Sequence, residues 1–281
     1  MTTSTPSTPS TSAGSGGTAP AAARERASAL RALHVPGRPL VVPNVWDAAS
    51  ARAVEAAGFP VIATGSAAIA PVLGYDDGER TPVEEMLAAI ARISRSVGLP
   101  VTADMERGYG LEPAELVERL VAAGASGCNL EDSDPRTGAM ADTDEQAAFL
   151  GAVRAAATGA GVDLVINARV DTYIHGTGDA GERLAESVRR GRRYLEAGAD
   201  CIYPIFAAEA GAVRALIEGI EGPVNILFRP GAPSLGELAA LGVARVSFGH
   251  GLHEAVRAYA ARMLAAIRDG ESPYPPGLPA P

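Results

Sequence analysis

The residues in this chain best placed to do chemistry are acids grouped near one arginine. Asp104 and Glu106 stand two apart in ADMERGYG, so on an extended backbone their side chains point the same way. Glu131 closes the run GCNLE, Asp77 lies in GYDDGE, and Arg169 sits inside VINARVDTYI. Carboxylates gathered at one place repel unless a cation or a proton joins them. Oxygen ligands without nearby His or Cys suit Mg²⁺ or Mn²⁺ rather than zinc. A second use for Asp104 and Glu131 is to cap the helices that follow them. An unpaired charge inside a strand is costly, so Arg169 is expected to pair with a barrel carboxylate, clamp a substrate carboxylate, or both. TGSAAIA, with small residues and successive N–H groups, is either an anion seat or a tight turn.

Composition excludes several other chemistries. The chain has 281 residues and a formal charge of −9, and all 24 basic residues are arginine. Without a lysine there is no Schiff base, no ordinary P-loop and no kinase-type strand lysine. The acidic balance argues against a nucleic-acid surface. No apolar run reaches the roughly 18 residues of a membrane span, and the Ser/Thr/Pro start lacks a secretory pattern. Cys128 and Cys201 fall in apolar runs, which fits buried free thiols and a cytoplasmic home.

The elements that must position these residues alternate regularly. Apolar runs at 39–44, 60–65, 100–104, 127–132, 163–169, 200–205, 223–228 and 244–249 are each followed by a helical pattern, several closed by glycine. Runs apolar throughout mark parallel strands buried on both faces. Eight such units in about 230 residues predict an α/β fold of the (β/α)8 TIM-barrel type. A doubly wound sheet is second, lacking a glycine-rich turn after the first strand. The expected limits are a disordered tail over 1–22, a catalytic barrel over 23–269 and a proline-rich tail over 270–281. In such a barrel the strand C-termini form the active site. The polar residues there include Asn44, Trp46, Asp47, Thr64, Ser66, Asn167, Asp171, Asn225 and Arg229.

These residues resemble the isocitrate lyase / phosphoenolpyruvate mutase superfamily. The matching pieces are PNVWDAASARAVEAAGF, TGSAAIA, LGYDDGE, ADMERGYG, GCNLEDS, INARVDTY and PVNILFRPGAPSLGELAALGVARVSFG, in family order across roughly 38 to 268. The resemblance implies a metal site of Asp104, Glu131, Asp77 and Glu106 holding Mg²⁺ (or Mn²⁺). It implies an oxyanion turn at Ser66 and Ala67 and a carboxylate clamp at Arg169. Trp46, Ser66, Ala67, Arg169 and Asn225 are then expected to bind substrate, and Arg169, Tyr109 and Glu106 to act in catalysis. The implied reaction breaks a C–C bond in a small 2-oxo or 2-hydroxy carboxylate through a metal-bound enolate. It also implies a homo-oligomer, tetramer or dimer, with the helix after Gly251 exchanged between subunits.

Departures narrow the family. The Lys-Lys/Arg-Cys-Gly-His loop of its C–C lyases is replaced by DSDPRTGAMADTDEQ, without Cys, Lys or His. Isocitrate lyase and methylisocitrate lyase proper are not expected, and the acid/base candidates left are Tyr109, Tyr173, His175 and Asp134. The alternatives are a phosphoenolpyruvate mutase or phosphonopyruvate hydrolase-like enzyme, with Arg107 and Arg136 serving a phosphoryl group, or a 2-oxo-acid binding protein with a degenerate loop.

Overall fold

A computed structural model describes residues 18–274. The chain enters on α1 (Thr18–Ala32) and the first barrel strand follows in two pieces, β1 (Leu40–Val42) and β2 (Asn44–Val45). Next come α2 (Ala48–Ala56), β3 (Ile62–Thr64), α3 (Ser66–Leu73), α4 (Val83–Ser94), β4 (Val101–Asp104) and α5 (Pro113–Ala122). The middle of the chain is β5 (Gly127–Glu131), α6 (Thr143–Gly159), β6 (Val165–Val170), α7 (Thr172–His175) and α8 (Ala180–Glu196). It closes with β7 (Cys201–Pro204), α9 (Ala210–Ile220), β8 (Asn225–Leu227), α10 (Leu235–Leu241), β9 (Arg245–Ser247) and α11 (Gly251–Arg268).

All the strand pairs are parallel, and their order follows the chain: β2-β3-β4-β5-β6-β7 in one run and β1-β9-β8 in the other. Pro43 divides β1 from β2 because it has no N–H to donate, while its carbonyl accepts from Ala63 at 3.1 Å. The piece before it pairs with β9 and the piece after it with β3. At the other seam a single parallel bridge, Ile202 to Val224, joins β7 to the start of β8. Eight strand positions thus make the circuit of a (β/α)8 barrel, in the places the apolar runs predict. Every residue of β5 is buried, as expected of a strand covered by helices outside and packed side chains within.

One expected boundary moves. Helix α1 begins at Thr18, inside the stretch expected as tail, because its run of alanines has high helix propensity. It covers the barrel wall through Ala27 and Leu30, both fully buried. The rest of the expected N-terminal tail, 1–17, lies outside the described residues, as does 275–281 of the C-terminal one. Asp47 is a helix cap: its Oδ1 accepts from Ser50 N–H at 2.7 Å, completing a capping box at the start of α2.

Candidate active site

At the C-terminal ends of the strands a cavity of about 170 Å³ opens into the barrel. Its polar lining includes Asn44, Ser66, Asp77, Asp104, Asn129, Arg169, Ser247 and His250. Strand β4 delivers Asp104, and the first turn of α3 receives it: Asp104 Oδ2 accepts from Ser66 N–H at 2.9 Å and from Ser66 Oγ at 3.0 Å. Thr64 Oγ1 holds the Asp104 N–H at 2.9 Å, fixing the strand end beneath the carboxylate. Burial pushes the Asp77 carboxyl above its usual range and the neighbouring Asp104 charge adds to this, against hydrogen bonds from Ser66 and the Gly78 backbone.

The turn after β4 is strained and heavily tied. Glu106 and Tyr109 adopt left-handed φ values of 46° and 57°, uncommon for residues with a Cβ. Glu79 locks them, its N–H donating to Glu106 Oε2 at 2.7 Å and its Oε1 accepting from Tyr109 N–H at 2.6 Å. Tyr109 Oη donates to Glu106 Oε1 at 2.7 Å. Burial raises Glu106 to about 7, and Asp77 and Asp104 reinforce this against the Tyr109 hydrogen bond. Glu79 had no sequence signal, since GYDDGER offers three neighbouring acids and no spacing that separates them.

Arg169 projects from β6 with three of its five N–H donors committed. Its Nε and Nη2 grip Asp171 at 2.6 and 3.2 Å, and its Nη1 meets Glu131 Oε2 at 2.5 Å. Burial opposes its charge, but Asp171 and Glu131 outweigh burial and hold the guanidinium protonated. Burial likewise drives Glu131 upward, with Arg169 pulling the other way. Asp171 is fully buried, takes a further hydrogen bond from Ser133, and through its own N–H bonds Asp132 at 2.9 Å. Asp132 also accepts from Arg190 at 3.0 Å and Tyr194 at 2.8 Å, both on α8. Arg190 in turn donates to Ala141 O at 2.9 Å, so this network pins both ends of the loop between β5 and α6.

The residues singled out from sequence do not all meet here. Ser66, Ala67, Asp77, Asp104 and Arg169 line the cavity, while Glu106, Glu131 and Tyr109 stand behind it. Trp46 does not reach it. As the chain leaves β2 for α2, the indole turns onto His253, ring centroids 4.9 Å apart, and joins the core. Asn225 also falls short, because it opens β8 rather than ending it, and lies fully buried against Ser247 Oγ at 3.2 Å. His175 and Arg107 line separate clefts, and Arg136 lines the same cleft as Arg107. Sequence reasoning missed Asn129 and His250, each beside a motif residue taken as the signal. Burial raises both thiols, Cys128 and Cys201, to about 12, which rules out either as a thiolate nucleophile.

The donor set fits a hard divalent cation. Asp104 and Asp77 face one cavity, where the Asp104 charge disfavours that of Asp77, and Asn44, Ser66 and Asn129 add neutral oxygen donors there. Among the described residues no three His, Cys, Asp or Glu side chains converge as a full ligand set. Mg²⁺ requires only one or two direct carboxylates, because it keeps several of its waters.

An acid-lined mouth with one clamped arginine lies where the active sites of (β/α)8-barrel enzymes lie. The sequence model described as phosphoenolpyruvate phosphomutase matches residues 30–268, and the chain belongs to that family, within the isocitrate lyase / phosphoenolpyruvate mutase superfamily. An uncharacterised protein of Mycobacterium tuberculosis is 33% identical over 240 residues, covering 85% of this chain and 88% of that protein. An oxaloacetate decarboxylase of Rhodopseudomonas palustris is 31% identical, covering 89% and 88%. The crystal structure of a candidate phosphonomutase of Burkholderia cenocepacia superposes with a TM-score of 0.80 at 42% identity, covering 87% of this chain and 99% of that one.

Proposed function

We propose that the chain is a divalent-metal-dependent carbon–carbon lyase acting on a small 2-oxo carboxylate, and that it removes a carboxylate β to the 2-oxo group. The observation that carries this is an acid-rich cavity containing Arg169 but no lysine or cysteine, beside a loop (132–146) that also has no histidine. Retro-aldol cleavage of a 2-hydroxy acid must first strip a hydroxyl proton and needs a placed base. β-Decarboxylation needs none: the C3–C4 bond breaks, CO₂ leaves, and its electron pair stays on the 2-oxo fragment. The oxaloacetate decarboxylase relative supports the same choice.

Each residue has a share in this chemistry. Arg169, aligned by Asp171, binds the 1-carboxylate, and Ser66 and Ala67 at the first turn of α3 offer it a positive helix end. Asp104, with Asp77, Glu106 and Glu131 around it, would hold a cation that polarises the 2-oxo group as a Lewis acid. Ile174, Ile205 and Phe206 give the cavity an apolar wall that limits water. His250 lines the cavity with its Nε2 3.5 Å from Glu254 Oε1, and C3 takes up its proton from solvent once CO₂ has left.

A P–C bond reaction is the second reading, favoured by the likeness to the candidate phosphonomutase. Against it, Arg169 is the one arginine lining the cavity among the described residues, and Arg107 and Arg136 face a neighbouring cleft. The apolar stripe on α11, exposed at Leu252, Val256, Tyr259, Leu264 and Ile267, supports a homo-oligomer built through that helix. Buried free thiols agree with a cytoplasmic protein.

A panel of 2-oxo and 2-hydroxy acids, assayed for CO₂, pyruvate and glyoxylate above the protein-free rate, tests the proposal. Oxaloacetate turnover to pyruvate and CO₂ is expected. Turnover confined to 2-hydroxy acids, or a C–P signal in the phosphorus NMR spectrum after incubation with phosphoenolpyruvate, would overturn it.

A further inference from the structure

The floor of the cavity holds an arrangement that this chemistry leaves unused. Inside the barrel Arg245 is fully buried, and its Nε and Nη1 have no hydrogen-bond partner among the described residues. Its Nη2 reaches one group, Oδ1 of Asn129, at 3.4 Å. The same Oδ1 accepts from Asn167 Nδ2 at 2.8 Å. A guanidinium carries five donors and no acceptor, so Asn129 must face it with oxygen; a reversed amide would set N–H against N–H. The amide nitrogen of Asn129 is therefore turned away from Arg245. Asn129 lines the cavity next to Asp104, its cross-strand partner, and its Nδ2 bonds no described residue.

We propose that Asn129 is a substrate-binding residue whose Nδ2 donates to a carboxylate or 2-oxo oxygen, and that Arg245 and Asn167 are positioning residues that fix its amide. This rests on the reading of the cavity as a small-carboxylate site and deepens it. Among so many acids, donors that can meet an anionic ligand are scarce. A neutral donor held in one orientation costs no rearrangement when the ligand arrives. The buried charge beneath it polarises the amide and strengthens its N–H.

Oxalate binding in the presence of Mg²⁺, measured by calorimetry together with the melting temperature, tests this in a double-mutant cycle. Asn129→Leu is expected to weaken oxalate about tenfold or more, the loss of one hydrogen bond to a charged group. Arg245→Leu is expected to weaken it severalfold while the melting temperature holds or rises, because an uncompensated buried charge is removed. The double variant is expected to bind no more weakly than Asn129→Leu alone. Asn129→Ser, whose hydroxyl is too short to reach either Arg245 or the ligand, serves if the leucine variant does not fold, and should lose the same affinity. Equal oxalate affinity in Asn129→Leu or Asn129→Ser overturns this inference alone. An Arg245→Leu penalty that persists undiminished in the Asn129→Leu background assigns Arg245 to a long-range field and overturns the positioning role. Failure of the unsubstituted chain to bind oxalate overturns the small-carboxylate reading itself.

Discussion

Glu131 and Asp132 are adjacent in sequence, both acidic and both buried, yet they serve different regions. Glu131 faces the barrel mouth among Asp104, Glu106 and Asp171, with Arg169 its one ion-pair partner among the described residues. Asp132 faces outward to α8, where Arg190, Tyr194 and the Asp171 N–H satisfy it and Arg190 balances its charge. Alternation along β5 explains the divergence, since successive side chains leave opposite faces. The difference separates an acid cluster with charge to spare from one whose charge is closed. The first is arranged to bind something; the second fixes a loop and a clamp.

Substitutions on the two sides test that contrast. Asp104→Ala on the mouth side should lower turnover by at least about 10³-fold and leave the melting temperature nearly unchanged, because a crowded acid is removed. Arg169→Met should cost about 10²–10³ in kcat/KM, the scale of losing a preorganised donor to developing charge, read by steady-state kinetics. On the closed side Arg190→Met should act on stability. It strands Asp132 without a countercharge, and urea unfolding should show a loss of about 3–5 kcal/mol. Equal stability losses from Asp104→Ala and Arg190→Met would erase the distinction.

A smaller effect tests burial outside both acid clusters. His34 is buried with Nδ1 on Leu30 O at 2.9 Å, and burial, helped by the Arg245 charge, lowers its pKa to about 4. Its folded value lies below the unfolded one near 6.5, so the native state resists the proton that the unfolded chain accepts. Stability from this source is complete above pH 6.5 and lost as pH falls toward 4. Between pH 7 and pH 5 the loss is about 2 kcal/mol, seen as steeper acid destabilisation than in His34→Asn.

How much was legible depended on whether a residue's position followed from strand phase. The eight apolar runs gave the strands, but the extended phase that would set Asp104 and Glu106 on one side stops at Asp104: Glu106 takes a left-handed φ of 46° and stands behind the cavity that Asp104 lines. The polar floor was only partly legible: Asn129 and Arg245 sit inside runs whose composition looks like ordinary two-sided burial, and Asn167, read as a strand-end residue, lies fully buried off the cavity lining. Trp46 and Asn225 were misplaced for a related reason. Proximity to a strand does not say whether a residue lies at its C-terminal mouth, and Asn225 begins β8 while Trp46 has already left β2. Arg169 pairs with carboxylates, one of the outcomes its burial allowed, but the choice of Asp171 and Glu131 required the fold.

The most direct test is the initial rate of pyruvate formation from oxaloacetate against free Mg²⁺, for the unsubstituted chain and Asp104→Ala, each corrected for the protein-free rate at the same metal concentration. The account predicts a saturable Mg²⁺ dependence that vanishes in the variant. A rate unchanged by excess chelator, or undiminished in Asp104→Ala, would contradict it.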